Sequence, residues 1–99
     1  MPVAVEMNFR GATLDQYDEI LKKMELTPGG ATPPGAISHW ASATEDGMHI
    51  VDVWDTREAY DQYAAEKIGP YSAEAGITEP PEMRFYDVHS HLGRGLGSS

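Results

Sequence analysis

The chain has 99 residues, a formal net charge of −9, and a composition that is 40% hydrophobic and 23% charged. That length allows one domain, and the acidic balance disfavours binding to nucleic acid or to an anionic membrane surface. Cysteine is absent, which excludes disulfides, thiolate metal ligands and a cysteine nucleophile. The start of the chain lacks a signal-peptide pattern, and no apolar run approaches the roughly 20 residues of a membrane span. We therefore expect a soluble cytoplasmic protein.

The first third of the chain predicts a strand, a helix and a loop. Residues 3–9 alternate between apolar and polar side chains, as a half-buried strand does. Thr13 and Gln16 form a capping-box pattern ahead of apolar residues at helical spacing, which predicts the start of a helix. Three prolines and three glycines within residues 27–35 predict a loop.

The remainder predicts a hairpin, a second helix and a last strand. Residues 36–44 are extended, and Asp46-Gly47 favours a two-residue turn of type I′, because both central residues of that turn need positive φ. The returning strand over 48–54 leads directly into a helix capped by Asp55 or Thr56. The elements that follow are a break in this helix at Gly69 and Pro70, a short further turn ending at Gly76, a strand over about 83–90, and a glycine- and serine-rich tail over 93–99.

This element order predicts an α+β fold of the ferredoxin-like βαββαβ type, a four-stranded antiparallel sheet with two helices on one face. The domain is expected to span residues 1–92, with residues 93–99 as a flexible tail. The strand over 48–54 is apolar on both sides, and we expect Val51 and Val53 to pack on the helices. The other face then needs a cover, which a second copy of the sheet about a two-fold axis would supply. A homodimer is therefore expected.

Three side chains that could carry chemistry are expected on the sheet face away from the helices. A two-residue turn at Asp46-Gly47 places His39 opposite Trp54, with Asp52 on the same face. A histidine within reach of a carboxylate is a general base, and the indole offers a flat aromatic surface. His39 and Asp52 are therefore predicted as catalytic residues. Residues on the same strands and their neighbours are predicted to bind the substrate: Asn8, Ala41, Ile50, Trp54 and Tyr86.

Two alternatives stay open for this group. A three-residue turn would replace His39 by Ser38 and Trp40 on that face of the sheet. Each candidate also has a structural role available to it: Trp54 as a core or interface residue, Asp52 as a hydrogen-bonded structural carboxylate, and His39 as a satisfied buried polar group.

A histidine pair near the end of the chain has the spacing of two metal ligands. His89 and His91 lie on one face of a strand, about 7 Å apart, and His49 or Asp87 is a conceivable third ligand. The alternative is a strand end that frays into the tail. No metal ligand is predicted here.

The segment GMHIVDVWDTREAY, residues 47–60, resembles the central strand–helix unit of the dimeric α/β-barrel superfamily. It is similar in particular to the small antibiotic biosynthesis monooxygenase-like proteins, where a glycine turn, an aliphatic strand ending in Trp, an acidic-Ser/Thr pair and a helix with an aromatic residue recur in this order. Residues 34–39 and 86–89 resemble the flanking strands of the same group. The likeness covers about residues 3–91.

The resemblance implies a dimer in which two sheets form an α/β barrel, with a pocket either between the sheet and the helices of each subunit or within the barrel formed by the two sheets. Relatives include cofactor-independent oxygenases of aromatic polyketides, cyclases, isomerases and haem-degrading monooxygenases. The haem-degrading branch uses a strand Asn, a Trp and a helical His. Asn8 and Trp54 match the first two, but neither predicted helix contains histidine, so neither haem nor another cofactor is expected.

The function implied by this resemblance is that of a cofactor-independent monooxygenase, cyclase or isomerase acting on an apolar, aromatic or polyketide-like small molecule. The alternative is a non-catalytic dimer that serves as a ligand-binding or assembly module. Every candidate residue has a viable structural role, which keeps this alternative open.

Overall fold

The computed structural model describes residues 1–92, and the predicted tail over 93–99 lies outside the described residues. The elements, in chain order, are β1 (Val3–Arg10), α1 (Leu14–Lys23), β2 (Ala36–Thr44), β3 (Gly47–Trp54), α2 (Arg57–Tyr63), a π-helical segment (Ala64–Ile68), α3 (Gly69–Glu74) and β4 (Glu82–Asp87). The strands are all antiparallel and lie in the order β2-β3-β1-β4. This confirms the predicted ferredoxin-like α+β fold. Within the described residues, no helix has the length and apolarity that a membrane crossing requires.

Side-chain caps set the starts of both main helices. The Thr13 hydroxyl accepts from the Gln16 backbone N–H at 3.2 Å, and the Gln16 side chain accepts from the Thr13 N–H at 2.9 Å, which confirms the predicted capping box. Thr56, rather than Asp55, caps α2 and accepts from the Ala59 N–H at 3.1 Å. Because each cap fixes the first helical residue, it also fixes which stripe of the helix meets the sheet.

The predicted break at Gly69 and Pro70 is wrong, because the chain stays helical from α2 through α3. The Gly69 N–H bonds to the Ala64 carbonyl, which is the wider step of a π-helix. Pro70 then falls in the first turn of α3, where a missing N–H costs little. As predicted, the helix stops at Gly76, which has a φ of +91°.

The hairpin between β2 and β3 turns one residue earlier than predicted. Its two loop residues are Glu45 and Asp46, while Gly47 already pairs with Thr44. Neither loop residue has a positive φ, so the type I′ prediction is wrong. Gly47 serves a different purpose, since a Cβ at this position would overlap the carbonyl oxygen of Phe9 on β1.

The earlier turn shifts the register of the hairpin by two residues. His39 pairs with Asp52 instead of Trp54, and Ala41 pairs with Ile50 instead of Asp52. Because side chains alternate with a period of two, an even shift leaves each of them on the face it had. His39 and Asp52 therefore share one face, and the three-residue turn that would have replaced His39 is not formed.

The face of β3 that meets the helices is the opposite of the predicted one. Trp54 packs edge-on against Tyr60 of α2, with 5.7 Å between ring centroids, so Val51 and Val53 lie on the outer face. The helix-side core contains alternate residues of β1 and β3: Val3, Val5, Met7, Phe9, Met48, Ile50 and Trp54. Asp52 lies among them and is only 4% exposed. Its burial is tolerated because both carboxylate oxygens are hydrogen-bonded.

Gly47→Ala is expected to destabilise the protein by about 1–3 kcal/mol, because β1 or β3 must shift to accommodate the added methyl group. Urea unfolding would measure the loss. Gly69→Ala is a suitable control, since it adds the same methyl within a helix and is expected to stay within about 1 kcal/mol of the parent. Equal stability of the two variants would contradict the close approach at Gly47.

Candidate functional site

A cavity of about 490 Å³ lies between the helices and the helix-side face of the sheet. Its lining combines apolar side chains with a few polar groups: Met7, Tyr17, His39, Ile50, Asp52 and Trp54 are among them. The glycine- and proline-rich loop, residues 27–33, forms another part of the wall. The volume lies within the roughly 300–1,000 Å³ of small-molecule pockets. A mainly apolar chamber with converging polar groups suits an apolar ligand with a polar end.

His39 and Asp52 form a tightly paired histidine and carboxylate in the wall of this cavity. The Nδ1 of His39 lies 2.5 Å from Oδ1 of Asp52, and the Trp54 indole N–H donates to Oδ2 of the same carboxylate at 3.1 Å. The Asp52 side chain is 6% exposed and the His39 side chain 29%. A buried carboxylate at Nδ1 orients the imidazole so that Nδ1 carries the proton and Nε2 presents its lone pair. His39 is thereby held as a base.

Tyr17 of α1 completes this arrangement from the opposite wall. Its hydroxyl lies 2.5 Å from Nε2 of His39, and the two rings lie nearly parallel, with centroids 5.8 Å apart. With Nδ1 donating to Asp52, the lone pair on Nε2 accepts from the Tyr17 hydroxyl. These contacts form a continuous chain, the Tyr17–His39–Asp52 relay, that joins a helix to two neighbouring strands.

Burial raises the pKa of Tyr17 to about 12, and the negative charge of Asp52 contributes to the same shift. Tyr17 is therefore a neutral phenol at physiological pH. Burial also raises the pKa of Tyr60 to about 12, and the hydroxyl of Tyr60 donates to Sδ of Met7 at 3.7 Å. Half-buried Tyr17 thus differs from buried Tyr60 in that its hydrogen-bond partner is a base.

The raised pKa of Tyr17 has a consequence for stability at alkaline pH. The pKa of this tyrosine is 10.0 in the unfolded chain, its ordinary value, and about 12 in the folded protein. The unfolded state loses its proton first, so the stability of the fold declines as the pH rises from about 10 towards about 12. Tyr17→Phe should decline less steeply in urea unfolding over this window, with Tyr60 and Tyr63, whose pKa values burial also raises, accounting for the remaining slope. Equally steep declines would contradict the assignment.

Five of the seven residues predicted for the site lie around the cavity: His39, Ala41, Ile50, Asp52 and Trp54. The structure does not bring the other two into it. Asn8 lies on the outer face of the sheet, where its Oδ1 is 2.6 Å from Nδ1 of His49. Tyr86 lies on the same outer face and donates to Glu6 at 3.3 Å. Their predicted role rested on placing the pocket between two sheets, whereas this cavity lies beneath the helices.

Tyr17 is one of the residues at helical spacing that follow the capping box, and this spacing predicts packing, so its place in the site was missed. The spacing of α1 correctly put it on the stripe that faces the sheet. The available signal was its hydroxyl, since a phenol on a core-facing stripe needs a hydrogen-bond partner. Nothing in the sequence indicates that this partner lies on β2, 22 residues away.

The histidine pair near the end of the chain shows no metal-binding arrangement in the part of the chain that the structure describes. No group of three or more His, Asp or Glu side chains in residues 1–92 is placed to hold a metal ion. Nε2 of His91 lies 3.5 Å from Oγ of Ser38.

No protein family model matches this chain, and neither does any curated protein sequence. Solved structures do resemble it. A protein of Chloroflexus aurantiacus J-10-fl, assigned by name to the antibiotic biosynthesis monooxygenases, superposes with a TM-score of 0.66 at 19% identity, over 96% of this chain and 100% of the other. The chain has the antibiotic biosynthesis monooxygenase-like fold.

Two further structures with this fold carry names that describe an activity. SnoaB, a cofactor-independent oxygenase from Streptomyces nogalater, gives a TM-score of 0.56 at 15% identity, over 92% of this chain and 94% of its own. A monooxygenase from the ActVA-Orf6 gene of Streptomyces coelicolor, in complex with Nanaomycin D, gives a TM-score of 0.51 at 23% identity. The match covers 92% of this chain and 89% of the other. The predicted resemblance is confirmed, and at these identities it is a likeness of fold.

Proposed function

We propose that this protein is a cofactor-independent monooxygenase that binds an apolar aromatic molecule in the cavity and removes a proton from it with His39. The observation that carries the proposal is the His39–Asp52 pair in the wall of an otherwise mainly apolar chamber. Fold neighbours named as a cofactor-independent oxygenase and as a monooxygenase holding Nanaomycin D add support.

The cavity suits a flat, mainly apolar ligand. Trp54 and Tyr63 both line it and lie against one another, with 5.4 Å between ring centroids. Flexible Met7 and Met24 lie in the same wall, and methionine adapts its shape to an apolar guest. The polar groups converge at the Tyr17–His39–Asp52 relay, which defines where the reactive end of the ligand belongs.

The chemistry requires a substrate acidic enough to give up a proton and electron-rich enough to react with O₂. Anthrone, a three-ring ketone with an acidic central CH₂ that exchanges with an enol form carrying a phenolic hydroxyl, has both properties. His39 takes a proton, and the resulting anion forms a carbon–oxygen bond with O₂. The imidazolium returns its proton to give a hydroperoxide, and loss of water leaves the quinone. One anthrone and one O₂ thus give one anthraquinone and one water, so the substrate itself supplies all the electrons.

The test is oxygen consumption with anthrone as the probe. The parent protein should consume O₂ and form anthraquinone in equal amounts, faster than the spontaneous reaction. His39→Gln should lower the rate by about 10²-fold or more, the contribution of a general base. His49→Gln is the matched control, because it removes a histidine of the same strand pair from the opposite face of the sheet, and it should retain the parent rate.

Two outcomes would contradict the proposed reaction. One is a parent protein that gives no rate above the spontaneous reaction. The other is an equal loss in His39→Gln and His49→Gln. Binding of anthrone without turnover would favour the alternative, a non-catalytic ligand-binding module. That alternative is consistent with Asp52 and Trp54 as a satisfied structural pair.

We also propose that the outer face of the sheet pairs with a second copy of the chain. This face exposes large side chains, with Trp40 at 51% and Tyr86 at 48%, and a flat sheet face of this kind is best covered by another sheet. Val51→Glu should convert a dimer to a monomer in sedimentation experiments. Gln62→Glu, which adds the same charge on an exposed helix position, should leave the dimer intact. A monomeric parent protein would contradict the proposal.

A further inference from the structure

Tyr17 is the end member of the Tyr17–His39–Asp52 relay, and the hydrogen bonds along the relay leave acceptor capacity on its oxygen. The two oxygens of Asp52 bind His39 and the Trp54 indole. The two ring nitrogens of His39 bind Asp52 and Tyr17. A phenolic oxygen that donates its proton still has lone pairs that can accept. The Asp52 side chain is only 6% exposed, so within the relay the oxygen of Tyr17 is the acceptor that a ligand can reach without breaking an existing hydrogen bond.

We propose that Tyr17 contacts the substrate directly and that the substrate presents a hydroxyl, as a phenol or an enol, which donates to the Tyr17 oxygen. This inference rests on the proposed function and names its substrate class and the path of the proton. A hydroxyl donor is required because the lone pairs that remain on the Tyr17 oxygen are hydrogen-bond acceptors. A ketone or an ether at the same position would find no donor in the relay, since the Tyr17 proton is already given to His39.

The proton transfer through Tyr17 balances without any additional reactant. As the substrate hydroxyl gives its proton to the Tyr17 oxygen, the Tyr17 proton passes to Nε2 of His39. The products are a phenolate or enolate, a neutral Tyr17, and an imidazolium held by the Asp52 carboxylate. Tyr17 never carries a full negative charge, which agrees with a pKa raised to about 12 by burial. The charge instead resides on His39, next to its carboxylate partner.

The position of Tyr17 suits this role. It lines the cavity together with His39 and Asp52, and the hydrogen bond to Nε2 of His39 restricts where its hydroxyl can point. Its helix is anchored by the Thr13 capping box four residues earlier. The acceptor is therefore held in place before a ligand arrives, which reduces the entropic cost of binding.

The test compares two ligands of nearly the same shape, 1-naphthol and 1-methoxynaphthalene, by isothermal titration calorimetry. The parent protein should bind 1-naphthol about fivefold more tightly than 1-methoxynaphthalene, which is the effect expected of one hydrogen bond. In Tyr17→Phe the ratio of the two Kd values should fall to about one, since the acceptor at this position is gone and Nε2 of His39 lies a further 2.5 Å along the relay. Tyr60→Phe is the matched control, because it removes the hydroxyl of a buried tyrosine outside the cavity lining. It should retain the fivefold ratio.

The possible outcomes separate this inference from the function on which it rests. A Tyr17→Phe variant that keeps the preference for 1-naphthol overturns the role of Tyr17. Equal binding of both ligands to the parent protein overturns the hydroxyl requirement while leaving an aromatic site intact. Failure of the parent protein to bind either ligand contradicts the proposed aromatic site itself, and with it the inference.

Discussion

Replacing Trp54 with alanine is expected to lower the free energy of unfolding by about 3–5 kcal/mol, the cost of deleting a large core aromatic side chain. Trp54 is 1% exposed and packs against Tyr60 and Tyr63. Its removal also takes away the indole N–H that binds the buried Asp52. Because domains of this size are stable by only about 5–15 kcal/mol, urea unfolding should show a severely weakened fold.

Trp40→Ala is the control for this prediction. Trp40 is 51% exposed on the outer face, so at a fixed protein concentration its removal should cost clearly less than the removal of Trp54. Similar losses in the two variants would contradict the placement of Trp54 in the helix-side core.

Asp52→Asn is expected to reduce anthrone-dependent oxygen consumption by about 10²-fold or more, because the orientation of the base is lost. An asparagine amide that donates to Nδ1 of His39 favours the tautomer in which Nε2 carries the proton. Nε2 then cannot accept a proton from Tyr17. The fold should survive with a loss of about 1–3 kcal/mol, since asparagine has nearly the same shape.

Steady-state rates and urea unfolding of the same preparation would separate these two effects. Asp55→Asn provides the matched control, because it makes the same chemical change at an exposed residue at the end of the same strand. It should keep both activity and stability. An active Asp52→Asn variant would contradict the role of the carboxylate in orienting His39.

Local signals in the sequence were sufficient for the order of the elements. The capping box of Thr13 and Gln16, the alternation over residues 3–9 and the stop at Gly76 each involve neighbours in the chain. Such signals act through backbone geometry that a few residues determine. The fold class follows from their order together with the handedness of the connections.

The face of β3 could not be predicted in the same way, because both of its faces are apolar. Its assignment rested on Val51 and Val53, which have no polar neighbours on their face of the strand. The structure shows the reverse, because His39 and Trp54 satisfy the Asp52 carboxylate inside the core. A buried charge is acceptable where its partners arrive from other strands, and partners of that kind are not visible in a local pattern.

The register of the hairpin and the partner of Tyr17 also depend on contacts between distant residues. Gly47 was interpreted as a turn residue, yet its lack of a side chain serves the approach of β1. The two-residue shift that resulted happened to keep His39 on the face of Asp52. Candidate residues were therefore brought together although their pairing and their face were predicted incorrectly.

The central claim is that an aromatic ligand binds beside His39 and Trp54 in the helix-side cavity rather than on the outer face of the sheet. The chain contains two tryptophans. Trp54 is buried in the helix-side core, whereas the Trp40 ring lies against His49 on the outer face, with 5.5 Å between ring centroids, although Trp40 also borders the cavity. Protein labelled with ¹⁵N reports on both through its two indole N–H signals, and Trp40→Phe assigns them. On titration with 1-naphthol, the Trp54 signal should shift and saturate, with a clearly larger change than the Trp40 signal. A shift of the Trp40 signal with no change at Trp54 would contradict the claim.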